Sequence, residues 1–312
     1  MTNSQKGDDM DLSKLTDIDW ISNVSRNLAT AVDHKYMNFR HRHLGQEFMS
    51  SNWDVLVILD ACRPEMLFQH DLPAEDRQTR YSAASESWGF MQANFGGRTL
   101  HDTVYVTANP HAHKLNADIF HDIDTMDDAW DDSLGTVPPE RVTDHAHAAQ
   151  ANYPNKRLII HYMQPHFPFI GNLGQDIDVS AIDTEMTSDR PGNSNPWTRL
   201  KNGDIPLDAV IDAYEENHEL IAAEMFDLID NLSGKIVMTA DHANLVGDRG
   251  FPIPIRLFGH PADFSHPKLR RVPWIEITAD ERPNTVAEEP FSDKSDTEDV
   301  AVGERLESLG YK

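Results

Sequence analysis

Seven residues, Asp54-Val-Leu-Val-Ile-Leu-Asp60, constrain the fold more than any other stretch of this sequence. Five successive apolar residues, three of them β-branched, leave no polar face. Such a run reads as a strand covered on both sides. Similar runs recur at 103–107, 157–161, 235–239 and 272–277. Between them lie helical patterns, the clearest over 206–232, with apolar residues at Leu207, Val210, Ile211, Tyr214, Ile221, Met225, Leu228 and Ile229. Pro206 opens that segment and Gly234 follows it, the usual punctuation of a helix. Strands alternating with helices predict an α/β fold with a mostly parallel central sheet and helices on both faces. In such sheets ligands sit at the carboxyl ends of the strands.

The organisation around that core is expected as follows. Residues 1–12 form a disordered polar lead, and 13–48 form a helical extension. The α/β domain covers 49–278, with an irregular insertion at 167–204 rich in Gly, Asn, Asp, Ser and Pro. The acidic tail, 279–312, is expected to be mobile or loosely packed.

Charge narrows the function classes. The 312 residues carry 52 acidic and 27 basic groups, a formal net charge of −25, which disfavours nucleic acid as a partner. Cys62 is the lone cysteine, excluding an internal disulfide framework or a thiolate zinc cluster. No run reaches the roughly 18 apolar residues of a membrane span, and the polar amino terminus is not a secretory signal, so a cytoplasmic protein is the default expectation. Asp outnumbers Glu 35 to 17, and only 10 of the basic residues are Lys. Such a surface stays hydrated in concentrated salt, where repulsion is screened within about 3 Å at 1 M. We therefore expect a salt-adapted protein that unfolds on dilution into low salt. Circular dichroism across a salt series checks this, and full stability without salt would remove it.

Two strand-like runs end in similar chemistry. One gives Ile58-Leu59-Asp60, the other Thr239-Ala240-Asp241-His242. At one sheet edge they would gather two carboxylates and an imidazole, a donor set suited to hard or borderline divalent cations. An Asp after a strand also serves simply as a helix cap. A third run continues as His161-Tyr-Met-Gln-Pro165-His166-Phe-Pro168-Phe169, whose prolines predict a rigid loop. A histidine held there could bind an anionic ester or protonate a leaving group. Asp144-His145, inside a helical pattern, reads as a solvated face.

These motifs, in this order, resemble the alkaline phosphatase superfamily, and most closely its sulfatase-like branch, including the lipoteichoic acid synthase type. The resemblance spans roughly residues 53–277. It implies an alkaline phosphatase-like fold, a divalent metal site and a Ser, Thr or modified Cys nucleophile that forms a covalent intermediate with a phosphate or sulfate ester. Carried over, Asp60, Asp241 and His242 are the metal ligands. Ser87, in Ser85-Glu-Ser87-Trp88, is the nucleophile and a further ligand, with Ser85 the runner-up. A helix beginning there would offer free N–H groups and a positive dipole to the anion. His166 is expected to act in catalysis, while His161, Asn109 and His260 contact substrate. Trp88, Arg63, His111 and His113 are further substrate-side candidates.

Cys62-Arg-Pro64-Glu-Met66 begins like the modified-Cys sulfatase motif but ends in Met and lies too close to Asp60. A serine nucleophile therefore tilts the chemistry towards phosphate. No Asp-x-x-x-His for a second metal is evident, so one divalent ion is expected, with Zn, Mn, Mg and Ca left open. The implied activity is hydrolysis of a small anionic ester. Transfer of a phospho-alcohol head group to a glycan is the alternative. A third reading is a relative without turnover that binds an anionic glycan or a partner.

Overall fold

In the computed structural model, the residues described are 18–179, 195–278 and 281–290, with Gly303, Arg305 and Leu306. β1 (Val55–Leu59) is buried along its whole length, as a strand without a polar face must be. It lies between β5 (Arg157–Tyr162) and β6 (Ile236–Thr239), parallel to both. β3 (Leu100–Thr107) and β4 (Phe120–Asp124) extend the parallel set beyond β5. On the other side, β9 (Arg271–Ile277) runs antiparallel to β6, and β2 (Asp76–Tyr81) antiparallel to β9. The seven-stranded order is β2-β9-β6-β1-β5-β3-β4. The fold is thus the mostly parallel α/β sheet expected from the sequence.

β9 and β2 depart from the simplest reading of the pattern, and β4, Phe-His-Asp-Ile-Asp, is too polar to stand out as a run. β9 is antiparallel because only a small hairpin, β7 (Leu245–Arg249) with β8 (Arg256–Gly259), and the four-residue helix α8 (Pro267–Arg270) separate it from β6. No crossover helix carries the chain back for a parallel return. β2 is missed by hydropathy because it is a charged edge strand, Asp-Arg-Gln-Thr-Arg-Tyr, mostly exposed. Its Arg80 guanidinium lies 3.5 Å from the ring centre of Trp274 on β9.

Helices supply the covering layers, the short α2 (Pro64–Phe68) lying against β9. α4 (Pro139–Asn152) packs on β3 and β5 and against α7 (Leu207–Asn231). α7 buries Val210, Ala213, Tyr214, Asn217, His218, Ile221, Met225 and Leu228, one stripe at helical spacing. α3 (Ser87–Phe95) inserts Phe95 between Tyr105 and Phe120, at ring distances of 5.3 and 5.1 Å. α1 (Ile18–His41) is tied to the body through buried Asp33, which accepts from the Ile253 amide at 2.9 Å, and through Asn38, which accepts from the Ser265 amide at 2.7 Å.

The insertion at 167–204 is less irregular than its composition suggests. It contains α5 (Asn172–Val179) and α6 (Pro196–Asn202), which are too short to give a periodic signal. Residues 180–194 lie outside the described residues, as do 1–12 and most of the acidic tail. The described tail segment, 281–290, is not loosely attached. Val286 and Glu288 donate their amides to the carbonyls of Asn155 and His101, at 3.0 and 3.1 Å. Lys156, almost wholly buried, binds the Val286 carbonyl at 2.8 Å and the Glu288 carboxylate at 2.7 Å. Arg282 pairs with Asp54. Among the described residues, no helix is long and apolar enough to cross a membrane.

One ion-pair cluster fixes the hairpin to the sheet. Asp248 on β7 accepts from Arg63 at 2.9 Å and from Lys268 at 2.7 Å, with its side chain only 7% exposed. Burial pushes its carboxyl up, but the Lys268 and Arg63 charges outweigh that and hold it at about 2. The folded value lies below the unfolded one, so the contribution is present above pH 4 and is lost as pH falls towards 2. Asp248→Asn is expected to lower stability by about 2 kcal/mol at pH 7, the difference from wild type shrinking between pH 4 and 2. Denaturant titrations at pH 7 and 3 check this. An equal loss at both would contradict it.

Candidate active site

The strand register brings the chemistry together. Ile58 lies opposite both His161 and Thr239, and Thr107 opposite His161. Residues just beyond β1, β3 and β6 therefore leave the sheet side by side. After β1 the chain turns at once, with Ala61 at φ 61°, a left-handed conformation that costs a non-glycine residue about 1 kcal/mol. The turn is held by contacts on both sides. The Ala61 amide donates to Asp241 Oδ1 at 3.1 Å, and its carbonyl accepts from the Tyr214 hydroxyl of α7.

Asp60, Asp241 and His242 are fully buried, with candidate ligand atoms all within 4.8 Å of one another. Each carboxylate has one oxygen engaged and one without a hydrogen-bond partner among the described residues. Asp60 Oδ2 accepts from Ser87 Oγ at 3.1 Å and Asn109 Nδ2 at 2.8 Å, leaving Oδ1. Asp241 Oδ1 accepts from the amides of Ala61 and His242, leaving Oδ2. His242 Nε2 lies 3.5 Å from each of those two oxygens. Its Nδ1–H donates to the Ala243 carbonyl at 3.1 Å, so Nε2 presents a lone pair.

The electrostatics match this picture. Burial and the neighbouring Asp241 charge push the Asp60 carboxyl well above the usual range. Burial pushes Asp241 up as well, but His242 and His161 outweigh it and hold Asp241 below the usual range. Two adjacent buried carboxylates with orphaned oxygens facing an imidazole lone pair form a costly arrangement without a cation. The O/O/N donor set fits a divalent ion on its own chemistry.

Ser87 and Ser85 are told apart by their partners. Ser87 Oγ donates to Asp60 Oδ2 and stands 3.5 Å from His242 Nε2. Ser85 Oγ instead donates to the Pro261 carbonyl at 2.8 Å and accepts from the Phe264 amide at 3.0 Å, a structural use of the hydroxyl. Ser87 is not the helix cap either. Glu86 caps α3, its carboxylate accepting from the amides of Trp88 at 2.8 Å and Gly89 at 2.6 Å. This narrows the expectation of a free helix terminus, because two of the first-turn amides, those of Trp88 and Gly89, already hold Glu86.

Several other candidates take places different from those expected. Asn109 donates to Asp60 while its Oδ1 accepts from the His111 amide, so it positions a carboxylate rather than facing substrate. His161 is fully buried, its Nε2 lying 3.8 Å from both Asp60 and Asp241 and its Nδ1 meeting the Tyr105 hydroxyl at 2.8 Å. It stands behind the carboxylates, not in a substrate path. Arg63 is taken up by Asp248 and the Asn244 carbonyl. His113 pairs with Asp127 at 3.2 Å.

His166 and His260 do join the centre. Their Nε2 atoms are 3.4 Å apart, and the His242 and His260 rings are 4.7 Å apart. Burial lowers His166 to about 3, His161 to about 4 and His260 well below the ordinary imidazole value. Burial thus disfavours the charged form of each ring, His166 included. The loop carrying it is clamped by Asn217 of α7, whose Nδ2 reaches the His166 carbonyl at 2.9 Å while its Oδ1 accepts from the Ile170 amide. Asn217 was not legible beforehand: in sequence it is one polar residue on an apolar helix stripe.

Beside the centre, sharing His260 with it, lies a cleft of about 940 Å³ lined by Trp88, His111, Lys114, Trp197 and Lys201, among others. Lys114 Nζ lies 3.1 Å from His111 Nδ1 and 5.6 Å from the Trp88 ring centre. Gly259 directs the chain into this wall. Its φ is 73°, and a Cβ there would stand 3.0 Å from the Trp197 ring, so only glycine allows Trp197 to close on β8 beside His260. Leu306 and Gly303 complete the far wall.

No family model matches the sequence, and no curated protein matches it. Solved structures do. The C-terminal periplasmic domain of phosphoethanolamine transferase EptC from Campylobacter jejuni is 12% identical, with 72% of this chain and 78% of that one covered and a TM-score of 0.42. Phosphonate monoester hydrolase SpPMH from Silicibacter pomeroyi is 14% identical, covering 82% and 73%, with a TM-score of 0.44. A protein in the alkaline phosphatase superfamily from Vibrio parahaemolyticus is 10% identical, covering 82% and 70%, with a TM-score of 0.38. In the arrangement of its chain, this protein is similar to these solved structures, one of which is described as a protein in the alkaline phosphatase superfamily.

Proposed function

We propose that the protein is a metal-dependent hydrolase of phosphate esters in which Ser87 is the nucleophile. One observation carries this reading: Ser87 Oγ touches Asp60 and lies beside His242, within the buried group whose two free carboxylate oxygens call for a cation. Asp60 Oδ1, Asp241 Oδ2 and His242 Nε2, with Ser87 Oγ, would hold the ion. When bound, a divalent ion supplies Lewis acidity that favours the serine alkoxide and neutralises charge developing on a phosphoryl group.

The chain's own residues do the rest. Asp60 orients the Ser87 hydroxyl through the 3.1 Å hydrogen bond, and Asn109 fixes Asp60 from the other side. Ser87 Oγ forms a bond to phosphorus as the bond to the ester oxygen breaks, and water then cleaves the phosphoserine, returning the hydroxyl. His260 sits on the cleft wall, steered by a 2.8 Å hydrogen bond between its Nδ1 and Asn244 Oδ1. Lys114 and Lys201 line the cleft with Glu86 and Asp263, so two cationic groups are available to an anionic ester on an otherwise acidic molecule. The width of the cleft supports a second reading, in which an alcohol such as a glycan hydroxyl replaces water as acceptor. The test is hydrolysis of an aryl phosphate after chelation and re-addition of divalent ions, with labelled product assayed with and without sugar acceptors. No turnover with any ion would overturn both readings.

A further inference from the structure

The cleft does not end at its own wall. Trp197, Lys201, Phe258, Pro261 and Ala262 also line a second cavity of about 310 Å³, which runs between α1 and the β7–β8 hairpin. Its floor is apolar: Leu257 and Phe264 are buried there, and Thr30 and Ala31 of α1 form the opposite side. Arg26 and Arg256 belong to the same lining, joining the shared Lys201. An apolar chamber with cationic groups, sharing five residues with a cleft that runs along Glu86 and Trp88 on either side of Ser87 and reaches His260, is shaped for an anion bearing an apolar group.

We propose that the second cavity is a substrate subsite, and that the ester hydrolysed is amphiphilic. Its phosphate lies at Ser87, and the aliphatic or aromatic part of its alcohol extends past Trp197 into the chamber beside α1. This rests on the phosphate-ester reading above and adds the class of alcohol. α1 is a firm wall rather than a loose flap, because Asp33 and Asn38 fix it to the hairpin and the segment after it. Arg26 is likewise bonded to the Lys201 carbonyl at 2.5 Å. Contact with apolar surface in such a chamber is worth roughly a fourfold gain for each methylene buried.

The experiment is a series of n-alkyl phosphates, ethyl to decyl, below their micelle concentrations. kcat/KM is expected to rise about fourfold per added methylene until the chamber is full, then to level off. Ala31→Trp places an indole in the chamber from an exposed position on α1, and is expected to remove the gain of decyl over ethyl phosphate. A flat wild-type series, with ester hydrolysis intact, overturns the subsite and leaves the hydrolase reading standing. Calorimetric titration with decylphosphonic and ethylphosphonic acids requires no turnover. Binding at least about tenfold tighter for the longer acid, weakened in Ala31→Trp, supports the subsite even should no ester be cleaved. Equal binding of the two overturns it.

Discussion

Asp241→Ala is expected to bind no divalent cation and to hydrolyse aryl phosphates at least about a thousandfold more slowly, while keeping its sheet intact. The expectation follows from how Asp241 divides its two oxygens. Oδ1 accepts from the amides of Ala61 and His242, so it locks the turn after β1 to the turn after β6. Oδ2 has no hydrogen-bond partner among the described residues and faces His242 Nε2 at 3.5 Å. Alanine removes both functions at once. The free ligand position is lost, and His242 and the Ala61 turn lose the acceptor that aligns them. The sheet itself is held by the backbone ladders joining β1, β5 and β6, which do not include Asp241. Thermal shift separates the two effects. Wild-type protein is expected to gain stability on adding a divalent ion, by about 2.7 kcal/mol at a hundred times the dissociation constant. The variant is expected to gain nothing. An unchanged rate, or an equal thermal gain in both proteins, would contradict the metal assignment.

The parts of the fold visible in the sequence are those set by one-dimensional patterns. β1, β5 and β6 announce themselves because strands buried on both faces carry a run of apolar residues with few polar ones to blur it. Asp60 and the Asp241-His242 pair could be placed at one edge because parallel strands share their direction. Burial itself is not written in the sequence. Asn109 and His161 looked like substrate contacts, and His166 like a catalytic group, because nothing in their neighbours says which way a side chain points. The coordinates turn Asn109 and His161 towards the carboxylates and close His166 off from solvent. The helix terminus at Ser87 was read as open because a capping Glu86 and an ordinary Glu86 look alike in sequence. The second cavity was invisible for a similar reason: α1, α6 and β8 meet there from positions some two hundred residues apart.

The two serines of Ser85-Glu-Ser87 provide the most discriminating comparison, since their hydroxyls have opposite surroundings two residues apart. Ser87→Ala is expected to lower kcat by at least about a thousandfold and to abolish any pre-steady-state burst, yet still to bind a divalent ion through Asp60, Asp241 and His242. The helix should survive, because Glu86 rather than Ser87 satisfies the amides of Trp88 and Gly89. Ser85→Ala is expected to behave in the reverse way. It loses a hydrogen bond to the Pro261 carbonyl and leaves the Phe264 amide, wholly buried, without its acceptor. That costs about 1–3 kcal/mol of stability with the chemical step preserved. Rapid-mix kinetics with an aryl phosphate, read beside denaturation midpoints, assigns each serine to its role. A burst that persists in Ser87→Ala and vanishes in Ser85→Ala would move the nucleophile to Ser85, against every hydroxyl contact around the two residues.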